Sequence, residues 1–125
     1  MLGDKDAAAN IAVKNLEIAK KFYEDTLGLT QVAAEGQEVI VLKSGNSTVN
    51  VYRSQYAGTN KSTTMTWVVG EDIESVVQQL KAKGITFEHY DMPGVTREGD
   101  VHIAGDMKVV WFKDPDGNIL NIASR

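Results

Sequence analysis

The sequence contains no cysteine and only two prolines among its 125 residues. Without cysteine the chain can form no disulfide scaffold, no zinc–thiolate site and no thiol nucleophile. No apolar run approaches the roughly 18 residues that a membrane-spanning helix needs. The acidic start of the chain also lacks the apolar segment of a secretory signal. We therefore expect a cytoplasmic protein with no membrane partner.

Basic side chains are also few, 13 against 17 acidic ones, which gives a net charge of −4. That balance lacks the excess of basic residues that is typical of nucleic-acid-binding proteins. The sequence has no G-x-x-x-x-G-K-[ST] or G-x-G-x-x-G loop for nucleotide phosphates and no G-x-S-x-G turn of a hydrolase. With 42% hydrophobic and 24% charged residues, the composition is that of one ordinary globular domain.

One series of strand and helix signals occurs twice. A short apolar strand precedes Asn15, a suitable helix N-cap, and the helical spacing that follows ends at Gly28. The same order returns at Asp72, which we expect to be the stronger N-cap, and it ends at Gly84. The two repeats of this pattern predict two helices, each introduced by a strand.

Three strand-like stretches follow each predicted helix. In the first half they are 29–34, 39–43 and 48–53, and in the second half 85–90, about 101–112 and 118–123. Residues 93–99 are predicted to form an irregular loop, and 114–117 (Asp-Pro-Asp-Gly) a tight turn. The sequence thus predicts an α+β fold of tandem βαβββ modules. We place the modules at about 8–54 and 63–123 within a single domain, 1–125.

Two segments carry a resemblance to a known family: Phe22-Tyr23-Glu24-Asp25-Thr26-Leu27-Gly28-Leu29 and Trp111-Phe112-Lys113-Asp114-Pro115-Asp116-Gly117-Asn118. With the strand–helix lead-ins, the chain resembles the vicinal oxygen chelate superfamily over about residues 8–123. That superfamily includes glyoxalase I, extradiol dioxygenases, and fosfomycin- and bleomycin-resistance proteins. The resemblance implies a cup-shaped mixed sheet with the helices outside. In metal-dependent members His, Gln or Glu side chains hold a divalent ion in the cup, and substrate oxygens chelate it.

The positions at which the family would place metal ligands do not carry suitable side chains. The first-strand position is Ala8, and the position near the end of the chain is Asn121 in place of a glutamate. The second module offers Thr64 or Met65, because Gly70 looks like an inserted residue and leaves two frames open. The strand 48–53 contains no Asp, Glu or His. We therefore expect no metal ligands and no cofactor. We interpret His89 as a strand-surface residue and His102 as a hydrogen-bonding side chain in a loop or at the rim of the cup.

The strand pairing across the turn at 114–117 predicts which side chains line the cup. A symmetric turn pairs Phe112 with Ile119 and Val110 with Asn121, so that all four face inward if Asn121 does, whereas Trp111 and Leu120 pack against a helix. A turn asymmetric by one residue reverses this. Alternation on the first strand turns Asn10 inward and Ile11 and Val13 towards the helix. The predicted ligand-binding residues are Asn10, Tyr52, Trp67 (in one of the two frames), His102, Val110, Phe112, Ile119 and Asn121.

Three functional hypotheses follow. The first is a metal-free small-molecule binding protein, similar to resistance proteins that sequester drugs, with an organic ligand in an apolar and aromatic cup. The second is an enzyme of the same superfamily, either a metal-dependent lyase or dioxygenase or a metal-free isomerase that uses Tyr or His. The third is an accessory domain without a ligand, in which these side chains simply form the core. We also expect a homodimer, because two-fold self-association is the commonest assembly of soluble proteins.

Overall fold

The computed structural model describes all 125 residues, which form two compact units, Met1–Thr59 and Asn60–Arg125. The first unit contains β1 (Ala9–Val13), α1 (Leu16–Lys21), β2 (Thr30–Glu35), β3 (Val39–Ser44) and β4 (Ser47–Arg53). A π-helical segment, Phe22–Thr26, extends α1. The predicted order of one strand, one helix and three strands is confirmed for this unit.

The first unit has a four-stranded mixed sheet in the order β1-β4-β3-β2, in which only β1 and β4 are parallel. Ile11 and Val13 are buried, together with Leu42, Val49 and Val51 on the same face. We call this the α1 face, because residues of α1 and of this face line a common cavity. The opposite face carries Asn10, Asn50 and Tyr52, and we call it the Asn10 face. The alternation predicted for β1 is therefore confirmed.

The second unit contains β5 (Thr63–Val68), α2 (Ile73–Ala82), β6 (Phe87–Glu88), β7 (Thr96–Glu98), β8 (Val101–Ala104), β9 (Met107–Lys113) and β10 (Ile119–Ala123). Its six-stranded mixed sheet has the order β5-β10-β9-β8-β7, with β6 paired to β9. Only β5 and β10 are parallel.

Three of the predicted elements in this unit were wrong in extent. The strand predicted over 85–90 is only the two-residue β6. The single stretch 101–112 is a hairpin of two strands, and the loop 93–99 contains β7. Gly99 and Gly105 each begin a two-residue hairpin turn, with φ of 61° and 63°. A glycine with positive φ at the first central position is typical of a type II′ turn, which reverses an antiparallel strand within two residues. The Gly-Asp pairs at these positions are therefore sequence signals for the two hairpins that were not predicted.

The two helices begin differently from the prediction that Asp72 is the stronger cap. Asn15 has extended backbone angles, and its Oδ1 accepts a hydrogen bond from the Ile18 N–H at 3.1 Å. Asp72 makes no such bond, because a 3-10 turn, Gly70–Asp72, precedes α2 and holds its ψ near 2°. A capping side chain normally needs an extended backbone to reach back to the helix. Asn15 is thus the side-chain cap, and Asp72 is not.

The pairing predicted for β9 and β10 was wrong by one residue. Asn121 lies opposite Trp111, and Leu120 lies opposite Phe112. The turn is longer than assumed, because Asp114 N–H donates to the Asn118 carbonyl at 3.0 Å and closes a loop of five residues. The Asp114 carboxylate stabilises this loop by accepting from the N–H groups of Asp116 and Asn118, both at 2.9 Å.

The corrected register separates the side chains of this sheet into two different sets. Val110, Phe112, Leu120 and Ile122 share one face and are buried. Lys108, on the same face by alternation, reaches Glu74 of α2 at 2.8 Å, so we call it the α2 face. The opposite face carries Trp111, Asn121, Ile119 and His102, and we call it the Trp111 face.

Candidate functional site

Trp111 lies at the centre of the Trp111 face and is contacted from several strands. Its indole Nε1 donates to Thr63 Oγ1 at 3.1 Å. The ring of Tyr90 meets it edge-on at a centroid distance of 5.4 Å, and that of His102 does so at 4.8 Å. Hydrogen bonding and ring packing thus fix the orientation of the half-buried indole.

His102 is only 2% exposed, yet it has one ring nitrogen without a partner. Its Nε2 lies 3.0 Å from the backbone nitrogen of Tyr90. Since a backbone N–H can only donate, Nε2 must accept, and the neutral ring then carries its proton on Nδ1. The partnerless Nδ1 is therefore a buried hydrogen-bond donor.

Asn121, which lies opposite Trp111 on β10, has a partnerless acceptor. Its Oδ1 is buried and accepts no hydrogen bond within the protein. Leaving such a group unsatisfied costs roughly 1–3 kcal/mol, so native proteins seldom keep one without a reason. The Trp111 face thus combines an aromatic ring, a buried donor and a buried acceptor. Such an arrangement can bind a flat molecule that offers both an acceptor and a donor.

The Asn10 face of the first unit is polar and already paired. Asn10 Oδ1 lies 3.4 Å from Asn50 Nδ2 across the parallel pair of β1 and β4, and Asn10 Nδ2 lies 3.5 Å from the Ala8 carbonyl. Tyr52, two residues farther along β4, shares this face and is 36% exposed. The structure thus places Asn10 and Tyr52 on one face, as predicted, with Asn10 already hydrogen-bonded.

The eight predicted ligand-binding residues fall into three groups. Asn10 and Tyr52 lie on the Asn10 face of the first unit, and the other groups are in the second unit. His102, Ile119 and Asn121 lie on the Trp111 face. The structure places the remaining three on the opposite, α2 face. Val110 and Phe112 lie there because the β9–β10 register differs by one residue, and Trp67 lies there because it pairs with Ile122.

Trp111 and Tyr90 were missed as site residues. The predicted symmetric turn pairs Trp111 with Leu120 and places both on the helix side. The signal that could have corrected this is Asn118, whose N–H and side chain both bind the carboxylate of Asp114 and lengthen the turn. Tyr90 carried no comparable signal, since it lies beyond the two-residue strand β6.

An ionic cluster lies close to the Trp111 face. Asp100 Oδ1 is 2.7 Å from His89 Nε2, and its Oδ2 is 2.5 Å from Lys81 Nζ at the end of α2. The hydrogen bond from Lys81, and after it that from His89, lowers the pKa of Asp100 below its usual value. The rings of His89 and His102 are 6.5 Å apart. The cluster ties α2 to the turn between β7 and β8, next to the buried histidine.

The residues at the family's metal positions do not fit a divalent cation. Ala8 has no donor atom, and Met65 pairs with Leu120 on the α2 face, away from Asn121. Thr64 lies at a bulge where β5 has one more residue than β10. No group of three or more His, Asp or Glu side chains that could hold a metal ion occurs in the chain. Carboxylate or imidazole donors are what hard and borderline divalent ions require.

None of the helices is both long and apolar enough to cross a membrane.

The sequence model of the Glyoxalase/Bleomycin resistance protein/Dioxygenase superfamily matches residues 7–122. The chain belongs to this superfamily. Its membership confirms the resemblance drawn from the two quoted segments, and with it the α+β fold. No curated protein is similar enough in sequence to count as a match.

Solved structures of the superfamily share the fold. A glyoxalase family protein from Enterococcus faecalis is 21% identical, with a TM-score of 0.74 over 98% of this chain and 99% of that one. Lactoylglutathione lyase from Agrobacterium tumefaciens is 16% identical, with a TM-score of 0.69 over 96% and 92%. The fosfomycin resistance protein FosX from Listeria monocytogenes is 11% identical, with a TM-score of 0.69 over 100% and 93%. At these identities the likeness shows the fold alone.

Proposed function

We propose that this protein binds a small, flat organic molecule on the Trp111 face without the help of a metal ion. The observation that carries the proposal is the pair of partnerless buried atoms, His102 Nδ1 and Asn121 Oδ1. They lie on strands to either side of the strand that holds Trp111. A ligand acceptor satisfies the imidazole N–H, a ligand donor satisfies the amide oxygen, and the indole contacts the ring between them.

Aromatic contact and hydrogen bonding then supply the affinity. The charged side chains on this face already have partners, because Lys113 pairs with Glu88 at 3.3 Å and Arg97 donates to the Gly99 carbonyl at 2.7 Å. The absence of suitable metal donors at Ala8, Met65 and Asn121 supports binding over the metal-dependent chemistry of other superfamily members. Phe112, which the sequence analysis placed in the pocket, takes no part in this proposal, because it packs against Phe87 on the α2 face.

Nicotinamide is a suitable probe, because its ring nitrogen is an acceptor and its carboxamide is a donor on a flat ring. Benzamide lacks the ring acceptor, and methyl nicotinate lacks the amide donor. We expect nicotinamide to bind more tightly than either analogue in calorimetric titrations. An equal affinity for all three compounds, or no binding by any of them, contradicts the proposed donor–acceptor pair.

The chain has only two tryptophans, which makes a matched pair of variants available. Trp67→Phe leaves Trp111 as the only indole, so nicotinamide should still bind and should change its fluorescence. Trp111→Phe should lower affinity about tenfold, or about 1.4 kcal/mol. Asn121→Leu should act similarly, whereas the amide-to-leucine control Gln78→Leu, on an exposed position of α2, should not. Equal effects of the Trp67 and Trp111 variants would place the ligand elsewhere.

A further inference from the structure

A second concavity lies in the first unit, on the α1 face of its sheet. The cavity has a volume of about 600 Å³ and opens between α1 and the strands β2, β3 and β4. Leu16 of α1 and Ile40 of β3 form its apolar base. Because Ile40 pairs with Val51 on the α1 face, the cavity lies on the opposite side of this sheet from Asn10 and Tyr52. It is therefore separate from both residues that the sequence analysis assigned to a site in this unit.

The charged side chains of this cavity are mostly cationic. Lys14 precedes α1, Lys20 lies in the last turn of α1, and Arg53 ends β4, so three separate parts of the fold bring these groups together. Glu17 is the one carboxylate in the lining. The lining thus carries a net charge of +2, although the whole chain carries −4. A local excess of positive charge in a concave surface attracts anions.

The cavity also contains a partnerless acceptor. Gln31 of β2 lines the wall, and its Oε1 is buried without a hydrogen-bond partner. The backbone N–H of the same residue donates to Glu24 Oε1 at 3.1 Å, which holds this part of β2 against the π-helical segment. An amide oxygen among cations accepts a hydroxyl group rather than a carboxylate.

The ion pair at the mouth of the cavity is weak enough to be replaced. Arg53 lies 3.3 Å from Glu38, and both side chains are more than half exposed. Exposed pairs of this kind contribute at most about 1 kcal/mol. An adjoining hollow of about 330 Å³ is lined by Lys14 and Arg53 together with Glu38, Ser54 and Gln55. A ligand with several carboxylates could therefore contact the guanidinium without a large loss of stability.

We propose that this cavity binds a small hydroxylated organic polyanion, a molecule with two or more negative charges and at least one hydroxyl group. The cations Lys14, Lys20 and Arg53 contact the charged groups, and Gln31 Oε1 accepts from the hydroxyl. The volume lies within the range of small-molecule sites in proteins. The site does not depend on the ligand proposed for the Trp111 face.

Citrate and tricarballylate test this proposal, because the two tricarboxylates differ only in the hydroxyl group of citrate. In calorimetric titrations at low salt we expect citrate to bind at least threefold more tightly than tricarballylate, and both to weaken as salt is added. Gln31→Met should remove the preference for citrate and leave the affinity for tricarballylate unchanged. A lack of binding by both anions overturns the proposal. An equal affinity for the two anions would contradict the proposed hydrogen bond from the ligand hydroxyl to Gln31 Oε1.

Charge variants distinguish a built site from general attraction to basic side chains. Lys20→Gln and Arg53→Gln should each weaken citrate binding at least fivefold, whereas Lys61→Gln, an exposed lysine of the second unit, should not. Circular dichroism should confirm that each variant is folded. An equal loss in all three variants would show non-specific ionic attraction and would overturn the proposal. Nicotinamide binding by the same variants separates this test from that of the Trp111 face.

Discussion

The charge of Asp100 is stabilised by two neighbouring side chains. Hydrogen bonds from Lys81 and His89 lower its pKa in the folded protein, so the folded state favours the ionised carboxylate. Because the pKa is lowered, this contribution to stability is complete above about pH 4, the ordinary range of a carboxyl group, and is lost as pH falls through the folded value.

We therefore expect Asp100→Asn to lower the free energy of unfolding at pH 7 by about 1 kcal/mol, since the partners are half exposed. The difference between the variant and the parent should disappear at pH values below the lowered, folded-state pKa of Asp100. Urea denaturation of both proteins at a series of pH values measures this difference in the free energy of unfolding. Asp106→Asn is a matched control, because Asp106 is far more exposed and pairs only with Arg125. A difference that persists undiminished at low pH would show that the charge of Asp100 does not stabilise the fold.

A substitution of Phe112 tests which face of β9 belongs to the hydrophobic core. Its ring is 0% exposed and packs edge-on against Phe87 at 6.0 Å. Phe112→Ala should therefore cost about 3–5 kcal/mol of folding stability, measured by urea denaturation, because it leaves a cavity in a close-packed interior. Ile119→Ala, at a half-buried position on the Trp111 face, should cost less. A Phe112 variant as stable as the parent would restore the symmetric register that the structure rejects.

At the scale of elements, the five-residue turn 114–118 sets the register of β9 and β10. The Asp114 carboxylate accepts from the N–H groups of Asp116 and Asn118 and from Asn118 Nδ2. Hydrogen bonds to charged groups contribute more than neutral ones, and removing the acceptor leaves buried donors unpaired. This turn therefore decides which side chains reach the Trp111 face.

Asp114→Ala should lower the free energy of unfolding by about 3 kcal/mol. Asp114→Asn, which keeps one acceptor oxygen, should lower it less. Denaturant titration measures both changes, and Asp116→Ala is the control within the same turn. If the two Asp114 variants were as stable as the Asp116 variant, the carboxylate would not be what holds the turn.

At the scale of the whole molecule, we propose that the protein forms a homodimer. The strand β2 is an edge of the first sheet and leaves Val32 54% exposed, and exposed edges of sheets favour pairing with another chain. Two-fold symmetry is the commonest form of such association. Sedimentation equilibrium at tens of micromolar should give twice the mass of 13.7 kDa. A single species at the monomer mass would contradict the proposal.

The purified protein should hold no stoichiometric divalent metal. The reason is the donor set, since Ala8, Met65 and Asn121 offer no carboxylate or imidazole at the family's positions. Elemental analysis after dialysis measures the metal content. Asn121→Asp restores one carboxylate and should still bind no metal, because one carboxylate without further ligands holds a divalent ion weakly. One equivalent of Zn, Ni, Mn or Fe that survives dialysis of the parent protein would contradict this prediction.

The local features of the fold could be predicted from the sequence, because they depend on residues close together in the chain. Asn15 could be recognised as a cap, Ile11 and Val13 as core, and the tandem repeat as the superfamily's fold, from short-range patterns alone. The hairpins at Gly99 and Gly105 were equally local, and better use of their turn chemistry would have found them.

The face that each side chain of β9 and β10 occupies could not be predicted from the sequence and is known from the folded structure. A change of one residue in a turn moves every side chain of a strand to the other face, because side chains alternate with a period of two. The carboxylate of Asp114 makes that change, and Trp111 thereby replaces Val110 opposite Asn121. The partnerless atoms of His102 and Asn121, and the cations around Gln31, could likewise not be read from the chain. Each depends on which distant groups the folded strands and helices bring within hydrogen-bonding distance.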